Sequence, residues 1–386
     1  MSADTTPIDT RAQLAERERH VSGDELEELR HAIRDFLTAK SPSSAVRTLM
    51  MADAGYDPGV WLQMARELGL HGIAVPEEWG GAGAGMPELV VVFEEMGAAL
   101  LCAPFFATVA LAASAVLASG DRAAMADLLP RFVDGTSMGT VALNGTLEAW
   151  TPDSVGASAR STPDGFRLSG DLPLVLDGHA ADVILVAANT DRGVSLFAVA
   201  GTADGLRREQ LVTLDRTRKA ARLRLDDVPA RLIGDDGAAA PVLARVSDLA
   251  TVALAAEQLG VAQRSLDMAV RYAKDRIQFG RAIGSFQAVK HRCADMLVLV
   301  EGARSAVVHA AQVADTDELA LAASVAKMTC SEVALQTALD SMRIHGGIGF
   351  TWEHDAHLYV RRAKSTELIL GSPGYHARRL ADLVTI

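Results

Sequence analysis

Seven apolar residues, Phe286, Val289, Cys293, Met296, Val300, Ala303 and Val307, recur at alternating steps of three and four. That period is helical, so all seven lie on one face of a single helix roughly 30 Å long. A stripe of that length is stable in water only when other helices cover it, which commits this part of the chain to a bundle. The stretches from Ser247 to Arg276, Leu319 to Ile344 and His354 to Leu368 also read as helices and supply the partners.

The same period appears near the other end. Ser22 and Asp24 are capping residues before DELEELRHAIRDFL, where Leu26, Leu29, Ile33 and Leu37 repeat at three and four. A second helix is expected over Val60 to Leu68, ended by AVPEEWGGAGAG. A third starts near Met86, and two alanine-rich stretches continue to about Phe132. From Ser137 the period falls to two: TVALN, FRLSG, LPLVL, DVILVAA, VSLFAVA and ARLRLDDV are divided by turns such as Pro163-Asp164-Gly165 and Asp191-Arg192-Gly193. About six strands without helices between them make a small antiparallel β-sandwich or barrel. The expected fold is α+β, mostly α: a tail at 1–22, an N-terminal helical domain at 23–136, a β domain at 137–237 and a C-terminal four-helix bundle at 238–386.

Composition narrows the function. The 386 residues are 49% hydrophobic, too apolar for disorder, and only 5% aromatic. With 37 Lys and Arg against 49 Asp and Glu, the net charge of −12 opposes a nucleic acid as main ligand. The three cysteines, Cys102, Cys293 and Cys330, are far apart and form no CxxC, so neither a disulfide framework nor a zinc knot is expected. The ten histidines show no metal-ligand spacing, and no metal is expected. The polar N-terminus is unlike a signal peptide and no long uncharged apolar run stands out, so the expectation is a cytoplasmic protein without a membrane span.

Two glycine clusters invite a nucleotide reading. Gly80, Gly81, Gly83 and Gly85 follow no strand and read as a plain loop; Gly346, Gly347 and Gly349 end a long helix, where glycine is also an ordinary cap. A richer segment is YAKDRIQFGRAIGSFQAVKHRCADM, Tyr272 to Met296, in which a loop carries Arg276, Gln278, Phe279, Gly280, Arg281, Gly284 and Gln287. A guanidinium beside an exposed aromatic suits a phosphate-bearing ligand with a flat base. On its own the loop reads first as a helix–helix connection with a surface arginine.

These residues resemble the acyl-CoA dehydrogenase family over nearly the whole chain after the tail. The resemblance is carried by RIQFGRAIGSFQAVKHRCADM at Arg276 to Met296 and HGGIGFTWEHDAHLYVRRAK at His345 to Lys364, with support from PEEWGGAG at Pro76 to Gly83 and EEMG at Glu94 to Gly97. It implies an FAD flavoprotein that takes an acyl-CoA thioester and removes hydrogens from Cα and Cβ. It also implies a homo- or hetero-tetramer, built as a dimer of dimers, that passes electrons to an acceptor flavoprotein. Arg276 is then a pyrophosphate ligand, Gln278, Phe279 and Gln287 belong to the same cofactor block, Arg343 stands where the family has glutamine, and Gly346 and Gly347 admit the adenosine part. The FAD served by these residues lies across a subunit boundary.

The chemistry requires a carboxylate to take the α proton. The resemblance places it at one of two positions. Here those are Leu370, followed by Gly371 and Ser372, and Ala250 on the first bundle helix, where a neighbouring family arginine falls on Thr251 and the aspartate survives as Asp248. Neither leucine nor alanine is a base. Glu257, seven residues past Ala250, and Glu367, three before Leu370, read first as helix carboxylates paired with neighbours. The family's flavin-contacting strand reads Leu174, Val175, Leu176, Asp177, and its Thr-Glu-Pro element reads Asn144, Gly145, Thr146. Three readings stay open: a subunit whose partner supplies the base, a homomeric dehydrogenase with another base, and a family member with different flavin chemistry or a non-catalytic FAD- or CoA-binding role.

Overall fold

The computed structural model describes residues 22–143 and 149–385. The expected helical, β, helical order is present. Helix α1 (Gly23–Lys40) starts in a capping box: the Glu25 amide donates to Ser22 Oγ, and the Ser22 amide donates to the Glu25 carboxylate at 2.9 Å. Asp24 sits in the first turn rather than at the cap. Helices α2 (Ser43–Leu49), α3 (Pro58–Arg66) and α4 (Met86–Ala98) follow, then a π-helix (Phe106–Ala113), α5 (Ser114–Ala118) and α6 (Arg122–Val133). The π-helix lies in an apolar stretch buried along its whole length.

Among the described residues seven strands, one more than the alternation suggested, form the middle of the chain: β1 (Gly139–Ala142), β2 (Ala157–Thr162), β3 (Gly165–Leu176), β4 (Val183–Thr190), β5 (Gly193–Ala200), β6 (Leu206–Gln210) and β7 (Ala220–Ile233). Hydrogen bonding runs β4–β2–β3–β7–β5 and back to β4, which closes a barrel-like ring, with β1 added beside β4 and β6 beside β7. Most pairs are antiparallel; β1 and β2 lie parallel to β4. The ring encloses its own core of Leu168, Leu172, Ile184, Val186, Phe197, Leu223 and Val228.

The last third contains α7 (Ala239–Asp275), a two-stranded hairpin (β8 Ile277–Gln278, β9 Arg281–Ala282), α8 (Gln287–Gln312), α9 (Leu319–His345), α10 (Ala356–Leu368) and α11 (Pro373–Leu383). Helix α7 contains an 18-residue window of mean hydropathy 1.4, long and apolar enough to cross a membrane, which the sequence reading did not single out. Of that window 61% is buried inside the protein, because α7 is the central helix against which α4, α9 and α10 pack. Two glycines set the α4–α7 crossing. A Cβ at Gly260 would lie 1.9 Å from the Glu94 carbonyl oxygen, and one at Gly97 would lie 2.1 Å from that of Glu257. The stripe that opened the sequence reading is buried in α8 at Met296, Val300, Ala303 and Val307, whereas Phe286, Val289 and Cys293 are half-exposed beside the hairpin.

Candidate active site and cofactor surface

The hairpin that joins α7 to α8 projects from the bundle. Phe279 is 91% exposed and stands at φ +54°, next to Gly280 at φ +78°. A left-handed aromatic is costly, and here it throws the ring outward. The hairpin is braced locally: Arg281 lies 4.1 Å over the Phe286 ring, and Phe279 meets the same ring edge-on at 6.1 Å. Arg276 is exposed and forms no ion pair among the described residues. Gln278 folds back, donating to the Ile277 carbonyl at 2.9 Å, and Gln287 lies 3.4 Å from the His291 ring nitrogen.

The structure brings this hairpin and the Gly346 region together. Tyr272, one turn before Arg276, stacks 4.5 Å from His345, which in turn lies 4.3 Å from His354. Asp340 accepts from both Arg292 and Arg343, joining α8 to the end of α9. Arg343 is therefore engaged in a surface ion pair. Gly346 caps α9 at φ +66°, and a Cβ at Gly346 or Gly347 would meet nothing within 4 Å, so this backbone is open to an approaching group. Arg276, Phe279 and the two glycines thus form an outward surface with guanidinium, aromatic and bare backbone available. That donor set fits a dinucleotide presented from outside the chain.

The positions for ring contacts and for a base are different in kind. Ala250 is 0% exposed inside the helical core. Leu370 is half-buried against the same core, at φ +58°. Val175 and Leu176 are buried, and Asn144, Gly145 and Thr146 lie outside the described residues. Glu257 is not free for proton transfer: it accepts from Arg362 at 2.9 Å and also pairs with Arg218. Burial acts to raise its pKa, and the two guanidiniums outweigh burial and hold it below the usual carboxylate range. Glu367 is paired with Lys364 at 2.7 Å. The described residues at the ring face therefore do not fit the polar contacts that an isoalloxazine takes.

A buried charge cluster lies at this junction of all three parts of the chain. Arg362, only 1% exposed, donates to Asp215 at 2.7 Å, to Glu257 and to Thr217. Arg218 lies 4.9 Å over the Phe106 ring, and its Nη1 is buried without a hydrogen-bond partner. Asp177 is buried nearby, and its pKa is pushed up to about 7 by burial, against the pull of Arg218, Arg362 and Lys219. The sequence reading named Asp177 and Glu257 singly and missed the set, because its members are scattered from 177 to 362. It also missed Lys327, which is 0% exposed. A single lysine inside the apolar run LALAASVAKMTC was the available signal.

The two best-formed concavities are open surface depressions, one of about 640 Å³ along α7 and α8 lined by Gln263, Asp267, Arg271, Lys274 and Leu297, the other beside α11. Neither is lined by Ala250 or Leu370. Among the described residues no cluster of metal-ligating side chains is present.

A model for the acyl-CoA dehydrogenase N-terminal domain matches residues 23–136, and one for the C-terminal domain matches residues 247–384. The chain is 33% identical over 363 residues to acyl-CoA dehydrogenase IpdE2 of Mycobacterium tuberculosis, covering 94% of this chain and 98% of the relative. Among solved structures, a Tcur3481–Tcur3483 steroid ACAD variant matches with a TM-score of 0.85 at 36% identity, covering 94% of this chain and 98% of that one. A chain of the ChsE4–ChsE5 complex from Mycobacterium tuberculosis matches with a TM-score of 0.86 at 30% identity, covering 95% and 98%. With both helical regions matched and a full-length relative at 33% identity, the chain belongs to the acyl-CoA dehydrogenase family, a family of FAD-dependent oxidoreductases.

Proposed function

We propose that this chain is one subunit of a heteromeric acyl-CoA dehydrogenase whose partner supplies the catalytic base. The observation that carries this reading is the state of the two family positions and of the glutamates nearest to them in sequence. Both family positions are apolar, and Glu257 and Glu367 are each held by a cation. Bound FAD supplies the hydride acceptor for Cβ. This chain contributes Arg276 for a phosphate oxygen, Phe279 as an apolar face, and the open backbone of Gly346 and Gly347. All four are presented outward, toward a cofactor shared across a subunit boundary. The partner contributes the carboxylate that takes the α proton, and its own donors take the enolate-like charge.

Two of the similar structures are described as a Tcur3481–Tcur3483 steroid ACAD and a ChsE4–ChsE5 complex, which supports a two-component assembly and a bulky, ring-bearing acyl group as substrate. The test is co-expression with related base-bearing subunits, followed by acceptor reduction with acyl-CoA. The pair is expected to turn over while the isolated chain does not.

A further inference from the structure

Helix α8 is covered on one side only. Its stripe of Met296, Val300, Ala303 and Val307 is buried against the bundle, while Leu297 is 49% exposed, Val298 72% and Val308 46%. Ala294, Val298, Glu301, Ser305 and Val308 are all exposed and follow one another at steps of four and three. They form an outward ridge opposite the buried stripe. Beside the ridge lies the depression of about 640 Å³ between α7 and α8, whose apolar lining is Leu266, Val270, Cys293, Ala294 and Leu297. A ridge next to a groove is the form that one packed helix pair presents to another.

The charges on this face are sorted by end. Toward the hairpin stand Arg271, Lys274 and Lys290, exposed and without an ion pair among the described residues. Arg304 of α8 donates to Gln263 of α7 at 2.8 Å, which fixes how the two antiparallel helices are aligned. With that alignment Asp267 and Glu301 stand on the other side of Val298. Glu301 meets only its own helix neighbour Arg304, at 3.6 Å, and Asp267 accepts only from Gln263, at 2.9 Å. A two-fold axis near Val298 turns the basic end of one copy onto the acidic end of another and lowers each ridge into the other's groove. Arg271 and Glu301 of opposite copies then come level, each within about one helical turn of the axis. The face is complementary to itself, which is the condition for an isologous contact. A face made for an unrelated surface has no need of both signs in this order.

We propose that two copies of this chain associate through the α7–α8 face, antiparallel about Val298. The two hairpins then lie at opposite ends of the contact, about 35 Å apart at 1.5 Å per residue from Val298 to Phe286 on each side. Both outward cofactor surfaces stay free for other subunits. This association goes beyond the heteromeric reading and does not depend on it.

Sedimentation of the isolated full chain at micromolar concentration reads the association directly, with circular dichroism to confirm that each variant is folded. Wild type is expected as a dimer of the 40.7 kDa chain. Val298→Asp changes a side chain outside the packed core and sets two like charges at the axis, so it should weaken the dimer about a hundredfold. Arg271→Glu and Glu301→Arg should each weaken it about tenfold, and the double substitution should restore it by re-forming the pair across the axis. A monomeric wild type, a dimer that Val298→Asp leaves intact, or a double variant no stronger than either single one would overturn the proposal. In the complex with a base-bearing subunit, Val298→Asp should halve the mass and keep that subunit; its loss instead would assign the face to the other subunit and would also overturn the proposal. Where no such complex forms, the heteromeric reading fails and the isolated chain still decides this one.

Discussion

Replacing Arg362 with methionine removes the cation at the centre of the buried cluster while keeping most of its volume. In wild type Arg362 donates to Asp215, Glu257 and Thr217. In the variant Glu257 keeps Arg218, whereas Asp215 keeps only the amide and hydroxyl of Thr217. Breaking a buried pair from one side costs about 3–5 kcal/mol, because the remaining charge stays in a low-dielectric site. Adding Asp215→Asn removes that charge and should restore most of the loss. The pH dependence is equally specific. Glu257, held below its ordinary value by Arg218 and Arg362 against burial, stabilises the fold at neutral pH, and that stabilisation fades as the pH falls through its folded value. With one of its two guanidiniums removed, Glu257 of the variant keeps less of that stabilisation, so the difference from wild type narrows on acidification. The deficit of Arg362→Met, measured by urea unfolding with circular dichroism and tryptophan fluorescence, should be largest near about pH 7.5 and should shrink below about pH 5. A deficit under about 1 kcal/mol at neutral pH, or one that grows on acidification, would refute the assignment of this cluster as a cation-centred brace.

Three further outcomes are expected. Leu370→Glu restores a carboxylate at the family's base position but not the altered ring contacts, so the isolated chain should stay inactive; a gain of about a hundredfold in acceptor reduction would show an intact flavin site within this chain. His71 has both ring nitrogens buried without partners and its pKa is lowered by burial to about 3, so the fold should lose about 2 kcal/mol between about pH 6.5 and 5, as a folded pKa below the unfolded one dictates. Because His376, lowered to about 4, adds to this trend and Asp177, raised to about 7, opposes it, the readout is the difference between wild type and His71→Leu, whose acid limb should be flatter. Gly260→Ala should destabilise by about 3 kcal/mol through its clash with the Glu94 carbonyl, whereas Gly302→Ala, with open space around it, should be neutral or mildly stabilising in thermal unfolding.

The order of the fold was legible because helix and strand periods differ, and the change from three-four spacing to alternation near Ser137 is abrupt. Strand direction was not legible. A period of two says which residues face inward and nothing about whether β1 runs with or against β4, and the link that closes the ring rests on one long-range pair, Ser158 with Asn189. The π-helix was hidden because Phe106 to Ala113 is apolar all round, and such a run carries no period. Phe279 was legible as an exposed aromatic from its polar and glycine neighbours. The cluster of Asp215, Arg218, Glu257 and Arg362 was not, since each charge read alone looks like a solvated helix or loop residue and only the tertiary fold brings them together.

The origin of the base is tested most directly by acyl-CoA-dependent acceptor reduction, with flavin counted per subunit, for this chain alone and for the complex it forms with a related base-bearing subunit. Expected is activity in the complex only, abolished when the partner's glutamate is changed to glutamine. Turnover by the isolated chain at the rate of the complex would contradict it.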